Sequence, residues 1–158
     1  MTQRTRHAPP KAGAMREALR GLGYSTAAAL ADVVDNSISA GASEVRLRFD
    51  WEGQASRISI LDDGRGMSDP ELEAAMTLGT INPLDERAPT DLGRFGLGLK
   101  TASFSQCRSL TVASKREGGP LVCLRWDLDA IASEPEGGWR MFEGPAEGSE
   151  RFLEPLSF

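Results

Sequence analysis

The stretch ADVVDNSISAGA at residues 31–42 decides how the rest of this chain is interpreted. It continues an alanine-rich segment in which apolar residues recur at helical spacing. We therefore predict a helix from Thr26 to Ala40. Ser25 is a suitable N-cap for this helix, and Gly41 closes it.

Two polar residues of this helix, Asp32 and Asn36, lie four positions apart and project from the same face. An amide oxygen is a neutral ligand that suits Mg²⁺, which keeps several waters and takes substrate phosphates as further ligands. A carboxylate beside it can accept a proton from an attacking water. Taken alone, the pair fits two solvated polar residues on an amphipathic helix equally well.

Residues 43–60 alternate apolar and charged side chains around a short turn, which predicts a two-stranded hairpin with one buried face. The second strand runs into DDGRGM at residues 62–67. Gly64 and Gly66 permit left-handed or closely approaching backbone, and Asp62 presents an acceptor carboxylate. A buried carboxylate here would accept a hydrogen bond from an amino group such as that of adenine. The alternatives are a plain Asp-Gly turn and a calcium loop, which fits poorly because alternating oxygen ligands are missing.

The chain between this turn and the next glycine cluster is predicted to form a short helix and then a long loop. Ser68 and Glu71 form a capping box, which predicts a short helix. Residues 79–92 contain two prolines, many charges and no periodicity, so we predict a long loop of the kind that often serves as a lid.

GRFGLG at residues 93–98 precedes a further predicted helix, whose free backbone amides and dipole favour phosphate binding, and Lys100 adds a positive charge. Its spacing is neither that of a Rossmann turn nor that of a P-loop.

The remaining pattern predicts two strands, residues 110–114 and 121–126, and a poorly patterned tail from residue 132. An additional helix is predicted over residues 11–22. The 158 residues suffice for one hydrophobic core. Because helices and hairpins alternate without a repeating βαβ unit, the fold class is α+β.

These three glycine-containing and acidic segments, in this order, resemble the ATP site of the GHKL superfamily of gyrase B, heat-shock chaperones, histidine kinases and MutL. The segments ADVVDNSISAGA, DDGRGM and GRFGLGLKTASFSQC look most like its bacterial MORC-like or heat-shock-chaperone-like branch. The resemblance covers roughly residues 13–128. It implies a Bergerat ATP-binding fold, a two-layer α/β sandwich whose mixed, mostly antiparallel sheet carries helices on one face. We expect a flexible arm over residues 1–12 and an ATP-binding domain over 13–158 that lacks its last strand or strands.

Matched segment by segment, the resemblance implies ATP and Mg²⁺ as ligands. It makes Asp32 the general base, Asn36 the Mg²⁺ ligand and Asp62 the carboxylate that reads adenine. Gly64 and Gly66 would shape the adenine pocket.

The resemblance also assigns the nucleotide's other surroundings. Met67 would be an apolar neighbour of the base, with a core position as the alternative. Residues 80–92 would form the ATP lid, and Lys100 would contact the triphosphate or, alternatively, cap the helix surface. The residues expected to wrap the triphosphate are Gly93, Arg94, Phe95, Gly96, Leu97 and Gly98.

Two departures from the superfamily pattern bear on activity. Many members carry Glu where this chain has Asp32, whose shorter side chain predicts slow hydrolysis because small misplacements of catalytic groups are costly. The threonine element that a late strand contributes beside adenine has no counterpart before Phe158.

The function implied is Mg²⁺-dependent ATP binding and slow hydrolysis, with lid closure coupled to homodimerisation near the N-terminus and lid, or to partner switching. One alternative is an ATP-sensing interaction module with little or no turnover. Another is a histidine-kinase-type phosphotransfer domain, which is less favoured because no helix carries a phospho-acceptor histidine and His7 lies in the N-terminal arm.

Composition excludes several other classes. A net charge of −5 and a pI near 5.0 give no electrostatic footprint for unaided nucleic-acid binding. No segment predicts membrane insertion or a secretory signal. Cys107 and Cys123 lie outside any metal-ligand spacing, and we expect free thiols in the cytoplasm.

Overall fold

The described part of the chain is an α+β fold. A computed structural model describes residues 14, 18, 21, 23–78, 98–133 and 139–156. Four α-helices have described bounds: α1 Thr26–Ser39, α2 Asp69–Met76, α3 Gly98–Gln106 and α4 Leu128–Ser133. The strands are β1 Val45–Asp50, β2 Arg57–Asp62, β3 Ser109–Lys115, β4 Leu121–Asp127 and β5 Phe142–Glu143. Short 3-10 turns lie at Gly53–Ala55, Glu150–Phe152 and Glu154–Leu156.

The strands pair as two antiparallel sheets. In the first, β1 pairs with β2, with Val45 opposite Asp62 and Asp50 opposite Arg57. In the second, the strand order is β3-β4-β5, and Leu124 of β4 lies opposite Glu143 of β5. The α+β fold class and the mostly antiparallel pairing predicted from the sequence are therefore confirmed.

The predicted helix starts are also confirmed. α1 begins after Ser25, whose Oγ accepts a hydrogen bond from the Ala28 backbone N–H at 3.1 Å. α2 begins after Ser68, whose backbone N–H and hydroxyl both bond to Glu71 Oε2, at 2.7 and 2.6 Å. This is the capping box that the sequence indicates.

The hydrophobic core lies where α2, α3 and α4 meet β4. Trp126 of β4 is buried and its indole Nε1 donates to the Met76 carbonyl at 2.8 Å, which satisfies the buried N–H. Trp139 meets the Trp126 ring edge-on, with ring centroids 6.2 Å apart. The buried members of the cluster are Leu72, Met76, Phe104, Trp126, Leu128 and Ile131.

The apolar face of the β1–β2 hairpin differs from the prediction, which had it buried. Leu47 and Phe49 are 40% and 43% exposed, and Trp51 beyond the strand is 72% exposed. Among the described residues, the helices make their main contacts with one another and with the second sheet, so the hairpin face gains little cover. Phe49 and Trp51 instead stack on each other, with centroids 6.0 Å apart.

One helix was not predicted from the sequence, and some predicted segments lie wholly or partly outside the described residues. The short helix α4 follows Asp127, whose Oδ1 accepts from the backbone N–H groups of Asp129 and Ala130, and its six residues are too few for a periodic pattern. Of the helix predicted over residues 11–22, Ala14 and Ala18 are helical. The predicted lid lies outside the described residues. No described helix has both the length and the apolar character needed to cross a membrane.

The turn after β2 approaches the end of β3 closely at Gly66. This glycine has φ of +65°, and a Cβ there would lie 2.2 Å from the Lys115 carbonyl oxygen. Gly64 has ordinary φ but would place a Cβ 2.9 Å from the Cβ of Ala40, at the end of α1. The close backbone approach predicted for both glycines is therefore confirmed, and a left-handed conformation is found at Gly66.

We expect Gly66→Ala to lower the free energy of unfolding by on the order of 3 kcal/mol, because a left-handed conformation and a backbone clash add. Gly118→Ala is the matched control. Gly118 also has positive φ, +71°, but open space around its Cβ position, so its cost is about 1–2 kcal/mol. Chemical denaturation measures both, and equal losses would contradict the close approach.

Asp63 ties the same turn to the loop that leads into β1. Its Oδ1 accepts from the backbone N–H groups of Ser43 and Glu44 at 2.7 and 2.8 Å, and its Oδ2 accepts from the Ser43 hydroxyl. The Ser43 hydroxyl and the two backbone donors hold the pKa of this exposed carboxyl at about 2.

Because the folded-state pKa of Asp63 lies below its unfolded value, its contribution to stability is present above the unfolded pKa and is lost as pH falls toward about 2. We expect Asp63→Asn to flatten the dependence of unfolding free energy on pH in this acidic window. Urea titrations at a series of pH values test this. An unchanged slope in the variant would show that Asp63 does not clamp the loop.

Candidate nucleotide-binding site

Helix α1 carries the two residues whose spacing first indicated a site. Asp32 is half-buried and Asn36 is exposed one turn later. The Asn36 amide nitrogen donates to the Asp32 backbone oxygen at 3.0 Å. This hydrogen bond uses the nitrogen of the Asn36 side chain. The acceptor atom of the side chain is its oxygen, Oδ1.

A hydrogen bond across 25 residues joins α1 to the end of β2. The Ser37 hydroxyl donates to Asp62 Oδ2 at 2.9 Å, and Asp62 Oδ1 accepts from the Gly64 backbone N–H at 2.9 Å. Both oxygens of Asp62 are therefore oriented by neighbours. Asp62 is exposed, not buried as predicted, because it is the last residue of β2, where the strand leaves the sheet.

The turn after β2 is also held to α1 by backbone contacts. The Arg65 N–H donates to the Ala40 carbonyl at 3.0 Å, and Gly64 fits against the Ala40 side chain. The structure thus brings Asp32, Asn36 and Asp62 onto one connected unit, made of α1 and the Asp-x-Gly-x-Gly turn.

Lys100 occupies the first turn of α3, directly after the predicted phosphate loop. Only 1% of it is exposed, so its alternative role as a surface cap of the helix is wrong. Its ammonium donates to the Thr77 carbonyl at 2.5 Å, which links the start of α3 to the end of α2. Burial lowers the pKa of the Lys100 ammonium.

The other predicted site residues divide into two groups. Met67 is half-buried and packs against the hydrophobic core, which is the alternative position that the sequence left open for it. Gly98 begins α3. The rest of the predicted phosphate loop, Gly93, Arg94, Phe95, Gly96 and Leu97, lies outside the described residues.

Three further residues of the site were not singled out in the sequence. Ser37 occupies an apolar-face position of α1, seven residues after Leu30, and a polar residue on such a face needs a partner. This polar residue at an apolar position was therefore a sequence signal that could have identified Ser37. Tyr24 and Gln106 are 82 residues apart, and no sequence pattern relates them, although the Gln106 amide donates to the Tyr24 carbonyl at 2.9 Å.

The candidate base also affects the titration of Tyr24. Hydrogen bonding with the Asp32 carboxylate and the negative charge of that carboxylate raise the pKa of Tyr24 above its ordinary value. Tyr24 is the single tyrosine of the chain.

Because Tyr24 is the only tyrosine, phenolate absorbance reports its titration alone. We expect the titration midpoint to lie above that of free tyrosine and to fall in Asp32→Asn, since the neutral amide no longer stabilises the protonated phenol. Asp35→Asn, on the same helix, is the control and should leave the midpoint unchanged. A midpoint that is insensitive to Asp32→Asn would show that Asp32 does not raise the pKa of Tyr24.

A separate open groove of about 530 Å³ lies beside the turn after β2. Its lining includes Gly64 but not Asp32, Asn36 or Asp62, and its other residues are Asp63, Arg65, Lys115, Arg116 and Glu117. Glu71 pairs with Arg116 at 3.1 Å. The groove is therefore distinct from the polar residues that α1 and Asp62 bring together.

The donor set of the site fits a magnesium ion held mainly by its substrate. Asn36 contributes one amide oxygen, and Mg²⁺ bound with nucleotide typically takes one or two protein ligands beside phosphates and water. Within the described residues, no cluster of three or more His, Cys, Asp or Glu forms a metal cage. Asn36 therefore offers one oxygen ligand that such an ion could take.

Comparison with known proteins identifies the family of the chain. The family model for histidine kinase-, DNA gyrase B-, and HSP90-like ATPases matches residues 24–146. The match spans most of the chain, from the segment before α1 to the segment after β5. The chain therefore belongs to this ATPase family, and membership implies ATP binding.

Individual relatives include proteins of two kinds. DNA mismatch repair protein MutL of Rickettsia akari is 31% identical over 93 residues, which are 58% of this chain and 15% of that protein. MutL of Sphingopyxis alaskensis is 34% identical over 136 residues, 82% of this chain and 21% of the relative. ATPase morc-1 of Caenorhabditis elegans is 31% identical over 90 residues, 57% of this chain and 10% of the relative. The chain thus spans between about a tenth and a fifth of the length of these relatives.

Proposed function

We propose that this domain binds Mg-ATP against α1 and the turn after β2, and hydrolyses it slowly. The observation that carries the proposal is the hydrogen bond from Ser37 to Asp62, which fixes the candidate adenine-binding carboxylate on the helix that bears Asp32 and Asn36. Family membership supports ATP as the ligand.

Asp62 is the residue that selects adenine. The Ser37 hydroxyl and the Gly64 N–H both donate to its carboxylate, so both carboxylate oxygens are oriented as acceptors. An acceptor recognises the exocyclic amino group of adenine, whereas guanine presents a carbonyl oxygen at the same ring position. The arrangement therefore favours ATP over GTP.

Asp32 is the general base, and Asn36 holds Mg²⁺. When bound, the ion would neutralise charge on the phosphates. The half-buried Asp32 carboxylate accepts the proton of the attacking water. Lys100 supplies a buried positive charge at the start of α3, beside the glycine loop that we assign to the triphosphate. Its field stabilises negative charge there, because screening by water is weak around a buried ammonium.

The consequence of binding is a conformational switch. Residues 80–92 act as a lid that closes over ATP, and closure promotes homodimerisation or a change of partner. The domain acts in the cytoplasm, whose reducing conditions keep Cys107 and Cys123 out of disulfides. Within the family we place the domain in a MORC-like or heat-shock-chaperone-like branch, which its three motif segments resemble most.

An ATP sensor with little turnover is the second candidate, favoured by the short carboxylate of Asp32. The two candidates share the same binding site and differ only in turnover. Phosphate release under single-turnover conditions separates them, since a sensor would bind ATP and release no phosphate above the Asp32→Asn background.

Calorimetric titration with a nonhydrolysable ATP analogue tests the site itself. We expect Mg²⁺-dependent binding by the wild type. Asn36→Ala should abolish the dependence on Mg²⁺, and Asp62→Asn should reduce affinity by about tenfold or more, because it replaces an acceptor oxygen with a donor. Asp35→Asn is the matched control on α1 and should bind as the wild type does.

The outcomes are distinct. If Asp62→Asn binds the ATP analogue with unchanged affinity, Asp62 does not read adenine. If the folded wild type does not bind the analogue at all, the proposed ATP site is wrong for this domain.

A further inference from the structure

The outer edge of β1 pairs with no strand of the described part of the chain, because β1 and β2 form a sheet of two strands. Just before β1, the Glu44 carbonyl accepts from the Asp63 N–H at 3.4 Å. Just after β1, the Glu52 N–H donates to Ser56 Oγ at 2.9 Å. Both groups face into the hairpin. Since backbone groups alternate along an antiparallel strand, those of the odd-numbered residues 45–51 face the outer edge, where they can pair with a further strand.

The odd-numbered residues also carry exposed apolar side chains. Leu47, Phe49 and Trp51 lie on one face of the hairpin and all remain exposed. The other face is partly covered, because the Phe152 ring lies 6.0 Å from the Arg48 guanidinium. A sheet of two strands with an open apolar face is weakly stable and gains from additional strands. A strand added at the outer edge would therefore satisfy backbone groups and extend this apolar face.

The charges along the outer edge indicate which strand fits it. In RLRFDWE at residues 46–52, the even positions carry two basic and then two acidic side chains, Arg46, Arg48, Asp50 and Glu52. The segment is therefore complementary to itself about Phe49. An antiparallel copy aligned with Phe49 opposite Phe49 places Arg48 opposite Asp50 and Arg46 opposite Glu52. Twofold symmetry makes each of these pairs occur twice.

Other antiparallel registers bring like charges together. If Arg48 lies opposite its own copy, or if Arg46 lies opposite Arg48, two cations meet across the strands, which is destabilising. Registers shifted by an odd number of residues turn the apolar side chains to the wrong face. Alignment on Phe49 avoids both faults, and it also places Leu47 opposite Trp51 on the apolar face.

We propose that the outer edge of β1 binds a second copy of this chain, antiparallel and centred on Phe49, so that two hairpins form one sheet of four strands. The contact lies outside the proposed ATP site and does not require nucleotide. Arg46 and Arg48 already bond to Glu44 and Asp50 of their own chain. Each guanidinium has five N–H donors, so a carboxylate of the second copy can be bonded as well. Both arginine side chains are more than half exposed, so the dimer weakens as salt concentration rises.

Sedimentation of the full chain without nucleotide tests the pairing. We expect the mass of the wild type to rise from monomer to dimer with protein concentration. Arg46→Glu and Glu52→Arg should each weaken self-association by about tenfold or more, because each places like charges opposite one another twice. An equal mixture of the two variants should restore the dimer, since the changed side chains then face each other with opposite charge. Arg140→Glu, an equal change of charge at another exposed residue, is the control.

A cysteine crosslink tests the register. Phe49 lies opposite its own copy, with Cα atoms about 5.5 Å apart, so Phe49→Cys should form an interchain disulfide on mild oxidation. The two copies of Leu47 are four residues apart along the strands, or about 14 Å, so Leu47→Cys should not crosslink. The wild type, which retains Cys107 and Cys123, gives the background.

The outcomes separate this contact from other modes of association. A wild type that stays monomeric at every concentration, with no crosslink in Phe49→Cys, would mean that another segment or partner covers the edge and would overturn the proposal. A dimer that the mixed variants do not restore, or that Leu47→Cys crosslinks equally well, would use another surface or register and would also overturn it. A dimer that forms only with an ATP analogue would belong to the lid-coupled switch and would contradict pairing through β1.

Discussion

The hydrogen bond between Ser37 and Asp62 is the interaction on which the site depends. It connects a helix and a strand end that are 25 residues apart in sequence, and the Arg65–Ala40 backbone bond reinforces the same junction. Ser37 is buried, so its hydroxyl needs a partner, and the Asp62 carboxylate provides one. The position of Asp62 relative to Asn36 follows from this requirement.

The second constraint is steric and acts on the other side of the turn. Gly66 passes so close to the end of β3 that a side chain cannot be accommodated, while Gly64 fits against the end of α1. The turn is therefore held between α1 and the second sheet. Its conformation is determined by two packed elements, although it lies at the surface.

Much of the site could be anticipated from local sequence. Helix spacing puts Asp32 and Asn36 on one face of α1. The glycines of DDGRGM indicate that the backbone of this turn closely approaches another element. The contacts of Tyr24 with Gln106 could not be anticipated, because their 82-residue separation leaves no periodic trace. The β1–β2 hairpin was predicted correctly, but the burial of its apolar face was not. Alternation of apolar and charged residues identifies such a face but does not show whether another element covers it.

The burial of Lys100 excludes one of the two roles predicted for it from the sequence. From sequence it was either a phosphate contact or a surface charge, whereas the structure encloses it and bonds its ammonium to the Thr77 carbonyl. A buried ammonium is costly to maintain, and the lowered pKa of Lys100 expresses that cost.

The most direct test of the proposed ATP site is the structure of the domain crystallised with Mg²⁺ and a nonhydrolysable ATP analogue. We expect the adenine amino group about 3 Å from the Asp62 carboxylate and Mg²⁺ about 2.1 Å from Asn36 Oδ1. A nucleotide bound elsewhere, for example in the groove lined by Arg65 and Arg116, with no contact to Asp62 or Asn36, would contradict it.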